Sequence, residues 1–102
     1  MKTKESIRID FNRAMKQASI AGDCADDLRM AERQLRETIQ ELSAGWKGEA
    51  ASVYLQKCEA LAAKINKSAR QLDKISSAIS QTAKIYYEAE KAALEAVNTK
   101  SV

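Results

Sequence analysis

Ser43-Ala44-Gly45-Trp46-Lys47-Gly48 lies near the middle of a 102-residue chain and holds two of its three glycines; the chain has no proline. Glycine and proline are the chief breakers of helices. This hexapeptide is therefore the place where a chain rich in Ala, Leu, Lys, Arg, Glu and Gln, all good helix formers, is built to reverse. On either side the sequence carries a coiled-coil-like repeat. Upstream, from about Phe11 to Leu42, Ala14, Ala18, Ala21, Ala25, Leu28, Leu35, Ile39 and Leu42 recur at steps of three and four, with Glu32 occupying one position of the stripe. Downstream, from about Ala51 to Val97, the stripe reads Ala51, Tyr54, Cys58, Leu61, Ile65, Leu72, Ile75, Ile79, Tyr86, Ala89 and Ala93, with Ser68 and Thr82 filling two positions. A three-four repeat sets these side chains on one helix face. A short connection makes two helices antiparallel neighbours.

The expected fold is all-α, a single helix-turn-helix hairpin domain over residues 1–102. Helix one is expected over about 11–43, the turn over about 44–48 and helix two over about 49–97, with flexible tails at 1–9 and 98–102. Asp10 is the expected N-cap of helix one, its carboxylate accepting from free amides of the first turn. Gly22 has two readings. It is a tolerated helix-interior glycine, costing about 1 kcal/mol against alanine, or it marks a kink or the close approach of a neighbouring helix.

A two-helix hairpin has no third layer to cover its apolar surface. Beside the main stripe of helix two runs a second row, Leu55, Ala62, Ala69, Ser76 and Ala83, and helix one has a flank of small residues in Cys24, Ala31 and Thr38. The apolar face is wider than one antiparallel neighbour covers, and buried apolar area is worth about 25 cal/mol per Å². The expected solution is a second hairpin, giving a four-helix bundle. Leu28, Leu35, Ile39, Leu42, Leu61, Ile65, Leu72, Ile75 and Ile79 are the residues expected to form the core of hairpin and dimer.

Composition argues against several other classes. With 17 basic and 14 acidic residues the net charge is only +3, without the one-sided concentration of cations that marks a nucleic-acid binder. Lys57, Lys64, Lys67, Arg70 and Lys74, interleaved with Glu59 and Asp73, read as a solvated helix surface, with acidic lipid or nucleic acid as the minority reading. No apolar run is long enough to cross a bilayer, and Met1 to Asn12 does not read as a conventional signal peptide. There is no histidine, which removes the commonest general base and metal ligand, and no phosphate-binding glycine loop. No cofactor and no metal site are expected, nor catalytic residues. Cys24 and Cys58 lack metal-binding spacing; about 12 Å apart along the hairpin axis, they are beyond disulfide reach and are expected as buried free thiols, with an intersubunit bridge as the alternative.

Trp46-Lys47-Gly48 forms a Trp-Xaa-Gly motif at the turn, and Tyr86-Tyr87-Glu88-Ala89-Glu90 fits Tyr-Xaa-Xaa-Xaa-Asp/Glu late in helix two. Each motif alone is weak. Combined in a short proline-free chain, they make the sequence resemble, over almost its whole length, the WXG family of small type VII secretion substrates, the early-secreted-antigen group of actinobacteria and firmicutes. The resemblance implies helical hairpins that pair as homodimers or heterodimers, sometimes in association with virulence. It implies export without a cleaved signal peptide, after folding in the cytoplasm, through a membrane machine driven by an FtsK/SpoIIIE-type ATPase. It implies that Tyr86 and Glu90 belong to the export signal and that Trp46 and Gly48 carry the tryptophan motif.

Physical reasoning makes that mapping workable. Tyr86 and Glu90, four apart, share a helix face. Trp46 and Tyr86 lie 40 residues apart in the sequence, roughly 60 Å of helix, so the expected composite surface joins Trp46 of one chain to Tyr86 and Glu90 of its partner. Purely structural roles compete with this. Trp46 plugs the open end of the bundle, its indole N–H reaching a partner; Gly48 permits the turn; Tyr86 is plain core, Tyr87 is exposed, and Glu90 belongs to a solvated face. The functional readings are a secreted dimer acting by protein–protein pairing, an escort of a larger type VII toxin with a similar helical domain, or a cytoplasmic coiled-coil adaptor that is not exported. Stable membrane insertion and nucleic-acid binding are not expected.

Overall fold

The computed structural model describes residues 3–100, with side chains through Asn98. Two helices, α1 (Lys4–Gly45) and α2 (Glu49–Lys100), are joined by a three-residue turn into a helical hairpin. No helix among the described residues is long and apolar enough to cross a membrane. The described residues divide into two compact units, one formed by residues 3–21 with 74–100 and the other by residues 22–73. In each, α1 residue numbers rise as those of their α2 neighbours fall.

Helix one starts seven residues before its expected beginning. Asp10 lies inside α1 and is not its N-cap. Thr3 takes that role: its Oγ1 accepts from the Ser6 amide at 3.1 Å, and Ser6 Oγ accepts in return from the Thr3 amide at 3.0 Å. This reciprocal pair satisfies two amides that a helix start leaves orphaned, so residues 4–9 are helical rather than a tail. At the other end α2 continues to Lys100; the tail expectation for residues 1, 2, 101 and 102 lies outside the described residues. α1 runs through Gly22 as unbroken helix, with Gly22 half-buried.

In the unit of residues 22–73, Ala25, Ile39, Ala51, Ala62 and Ala69 are buried, Ala25, Ala62 and Ala69 completely. Leu28, Leu35, Leu42, Ile65 and Leu72 are half-buried around them. In the other unit Ile7 and Ala18 are buried, and the Ser76 hydroxyl donates to the Ala18 carbonyl at 2.7 Å. The seam of α2 against α1 is therefore the row Leu55, Ala62, Ala69, Ser76 and Ala83, with Ala51, Cys58, Ile65, Leu72 and Ile79 shared between both readings. Tyr54, Leu61 and Ile75, expected in that seam, are about half exposed. The reason is steric. Where the α1 stripe is alanine, from Ala14 to Ala25, the helices approach closely and the small Ser76 rather than Ile75 meets Ala18; nearer the turn the α1 stripe is the larger Leu35, Ile39 and Leu42, and the small Ala62 is the buried residue of α2 there. The larger side chains are turned to the open side of α2.

The seam also drifts along α2. An α-helix has 3.6 residues per turn, so a strict seven-residue repeat rotates by about 20° per heptad. Beyond Ala83 the half-buried positions are Tyr87, Glu90 and Leu94, where the repeat predicts Tyr86, Ala89 and Ala93. Tyr87 packs on Phe11 with ring centroids 4.8 Å apart.

Candidate functional site

The turn is built from backbone up. The Trp46 amide donates to the Leu42 carbonyl at 2.7 Å and the Lys47 ammonium to the Ser43 carbonyl at 3.1 Å, which satisfies two of the last carbonyls of α1. Gly48 has φ +119°, a conformation that side chains strain against, and its carbonyl accepts the first α2 bond from the Ser52 amide. Gly45, also expected to serve the reversal, closes α1 without a positive φ.

This turn holds Trp46 outward. Its ring is 41% exposed and lies tilted on Tyr54, centroids 5.4 Å apart. Within the single hairpin the ring does not fold back over the seam; the plug is expected of the end of a four-helix bundle, which a lone hairpin does not form. Trp46 instead borders an open groove of about 730 Å³ floored by Ile39 and Leu55 and edged by Arg33, Arg36 and Glu59.

The second motif lies in the other unit. Tyr86 is 63% exposed, whereas Tyr87 is half-buried against Phe11. Both tyrosines reverse the plain-core and exposed readings that the repeat suggested, because of the drift described above. Glu90 is half-buried rather than part of a solvated face. Of the two thiols, Cys58 is half-buried but Cys24 is exposed, since it lies on the flank of α1 and not in its seam; both are free.

Sequence reasoning missed a polar network within residues 22–73. Arg29 bridges Asp26 on its own helix and Asp73 on α2. Arg36 bridges Glu32 at 2.8 Å and Glu59 of α2 at 3.1 Å. Glu32, the polar break in the α1 stripe, has a side chain only 13% exposed and also accepts from Asn66 Nδ2 at 3.0 Å. The Asn66 amide and, next, the Arg36 guanidinium hold its carboxyl below the usual glutamate range. As pH falls, the unfolded chain takes up this proton before the folded chain does. The stability supplied is complete above the usual range and is lost as pH drops through the lowered value. In Glu32→Gln the acid limb of a plot of urea midpoint against pH is expected to flatten; a limb parallel to wild type would remove Glu32 as its cause.

Over residues 6–91 the sequence matches the WXG100 family, described as proteins of 100 residues with WXG. The chain belongs to this family. No curated protein and no solved structure matched it. WXG100 membership makes the chain a small helical protein associated with type VII secretion, from a family of secreted proteins that typically pair with themselves or with related proteins. The match spans Trp46, Gly48, Tyr86 and Glu90, and within their respective units Trp46 and Tyr86 both project aromatic surface into solvent.

Proposed function

We propose that this WXG100 chain is a type VII secretion substrate that leaves the cell as a folded dimer of hairpins and acts by protein–protein pairing, not by catalysis. The observation that carries this reading is the exposure of Tyr86, at 63% the second most open of the large apolar side chains among the described residues, after Ile85. Tyr86 stands beside the exposed Ile85, and aromatic side chains are among those that dominate the energy of protein recognition. In this reading Tyr86 and Glu90 of one chain and Trp46 and Gly48 of its partner are read together by an FtsK/SpoIIIE-type membrane ATPase. Only the assembled pair brings all four onto one surface, so unpaired chains are rejected. The apolar rows left open on the hairpin, Tyr54 and Leu61 among them, face the partner, and the whole chain works as one hairpin domain.

The test is an immunoblot of washed cells and culture medium from the host and from a strain lacking its type VII ATPase, with a cytoplasmic protein as lysis control. The protein is expected in the medium only when the ATPase is present. Retention in both strains would leave a cytoplasmic helical adaptor in place of a secreted one. The composite surface has its own test. A dimer carrying Trp46→Ala in one chain and Tyr86→Ala in the other keeps one complete composite surface of its two, whereas a dimer with both changes in one chain has each surface half-damaged. The first is expected to export better than the second. Equal export sinks the idea that the two chains share the signal.

A further inference from the structure

The ion pairs across residues 22–73 sort the charges by helix. Arg29 and Arg36 of α1 turn inward onto Asp73 and Glu59 of α2. These pairs engage two of the three arginines on α1 and two of the three carboxylates on α2 in this unit. What remains outside is nearly single-signed on each helix. On α1, Asp23, Asp27, Glu37 and Glu41 are exposed and have no ion-pair partner among the described residues; on α2, Lys57, Lys64, Lys67 and Arg70 are likewise exposed and unpaired.

The four α1 carboxylates, and Lys57 with Lys64 of the α2 set, fall on rows with the three-four spacing that keeps side chains in line along a helix; Lys67 and Arg70 lie off that row. The α1 row reads Asp23, Asp27, Met30, Gln34, Glu37 and Glu41; the α2 row reads Tyr54, Lys57, Leu61, Lys64, Ser68 and Gln71; every member is exposed. Each row has a large apolar side chain near its centre, Met30 at 56% exposure and Leu61 at 51%. The α2 row contains no acid and the α1 row no base. One chain therefore carries both halves of a complementary helix pair, on surfaces that its own fold does not bring together.

We infer that the helix covering the Tyr54–Gln71 row of α2 is α1 of a second copy of this chain, laid with Met30 against Leu61 so that Lys57 and Lys64 meet the carboxylates of Asp27 and Glu37. This rests on the pairing reading above and names the partner surface. The apolar centres supply burial, and the charges supply register and rate of encounter. Like charges in the alternative arrangement, α2 on α2, would repel.

Sedimentation of the full chain at low and high ionic strength, with helicity as a folding control, is the first measurement. Self-association is expected to weaken as salt rises. Lys57→Glu with Lys64→Glu is expected to weaken it by about tenfold or more, and mixing that variant with Asp27→Lys/Glu37→Lys is expected to restore it. In a Cys24→Ser/Cys58→Ala background, Met30→Cys chains mixed with Leu61→Cys chains should form a disulfide-linked pair, while Leu61→Cys alone should not. A chain that stays monomeric under all conditions overturns the pairing reading and this inference together. A salt-indifferent pair that ignores the charge reversals, or that links Leu61→Cys to itself, overturns this inference and leaves the pairing reading standing.

Discussion

Tyr86→Ala is expected to abolish appearance of the protein in the medium while leaving its amount and helicity in the cell unchanged. The phenol is 63% exposed, so its removal costs the hairpin little, within about 0.5 kcal/mol for a surface change. Recognition is where it counts. An aromatic anchor at the centre of an interface contributes about 2 kcal/mol or more, which is roughly a thirty-fold loss of affinity. The neighbouring Tyr87→Ala supplies the contrast. That ring is half-buried against Phe11, so its loss gives up an aromatic pair worth about 0.5–1.5 kcal/mol beyond its burial, and it lowers export by lowering the folded fraction. Immunoblots of medium and cells, read beside thermal melts, separate the two. Wild-type export of Tyr86→Ala would show that the machine reads some other feature. A melt lowered as far as that of Tyr87→Ala would show that Tyr86 acts through the fold.

The contrast between these adjacent tyrosines shows where the sequence was legible and where it was not. The two helices, the reversal at Trp46-Lys47-Gly48 and the family could be read from spacing and composition, because breakers and periodicity are local signals. Which of two neighbouring rows faces the other helix could not. Weighting by hydrophobicity selects Tyr54, Leu61, Ile75 and Tyr86, but the seam went to the small Ala62, Ala69 and Ser76, with Ser76 meeting Ala18. Drift of 3.6 against 3.5 then moved the end of the seam by one residue, from Tyr86 to Tyr87. The N-cap was misplaced because Asp10 is a strong capping residue close to the first clear repeat, whereas the cap that forms uses Thr3 and Ser6 outside the repeat. The cross-helix pairs of Arg29, Glu32 and Arg36 needed the register of the hairpin, which no local pattern supplies. The motifs nominated Trp46, Gly48, Tyr86 and Glu90, but the exposure of Trp46 and Tyr86 and the half-burial of Glu90 were not legible.

The small-residue seam carries the largest expected effect on stability. Ala69→Leu places three extra carbon atoms at a position with no exposed surface at all. Close-packed seams do not expand for free: overpacking costs about 1–3 kcal/mol, and domains of this size have only about 5–15 kcal/mol in total. A hairpin with just two layers has few other contacts to absorb the displacement, so the value is expected at the upper end. Ala63→Leu, a similar change on the exposed side of the same helix, is the control and is expected within about 0.5 kcal/mol of wild type. Urea titrations read both; a shift in midpoint at constant slope is the signature of lost stability rather than a changed unfolded state. Leu61→Ala completes the argument from the opposite direction. A leucine in a hairpin core costs about 2–5 kcal/mol when truncated, but Leu61 is 51% exposed, so its loss should leave the melting of the unpaired chain nearly unchanged and weaken self-association instead. If Ala69→Leu is neutral and Leu61→Ala unfolds the unpaired chain, the larger side chains and not the alanines hold the two helices together, and the open row has no surface left to offer a partner.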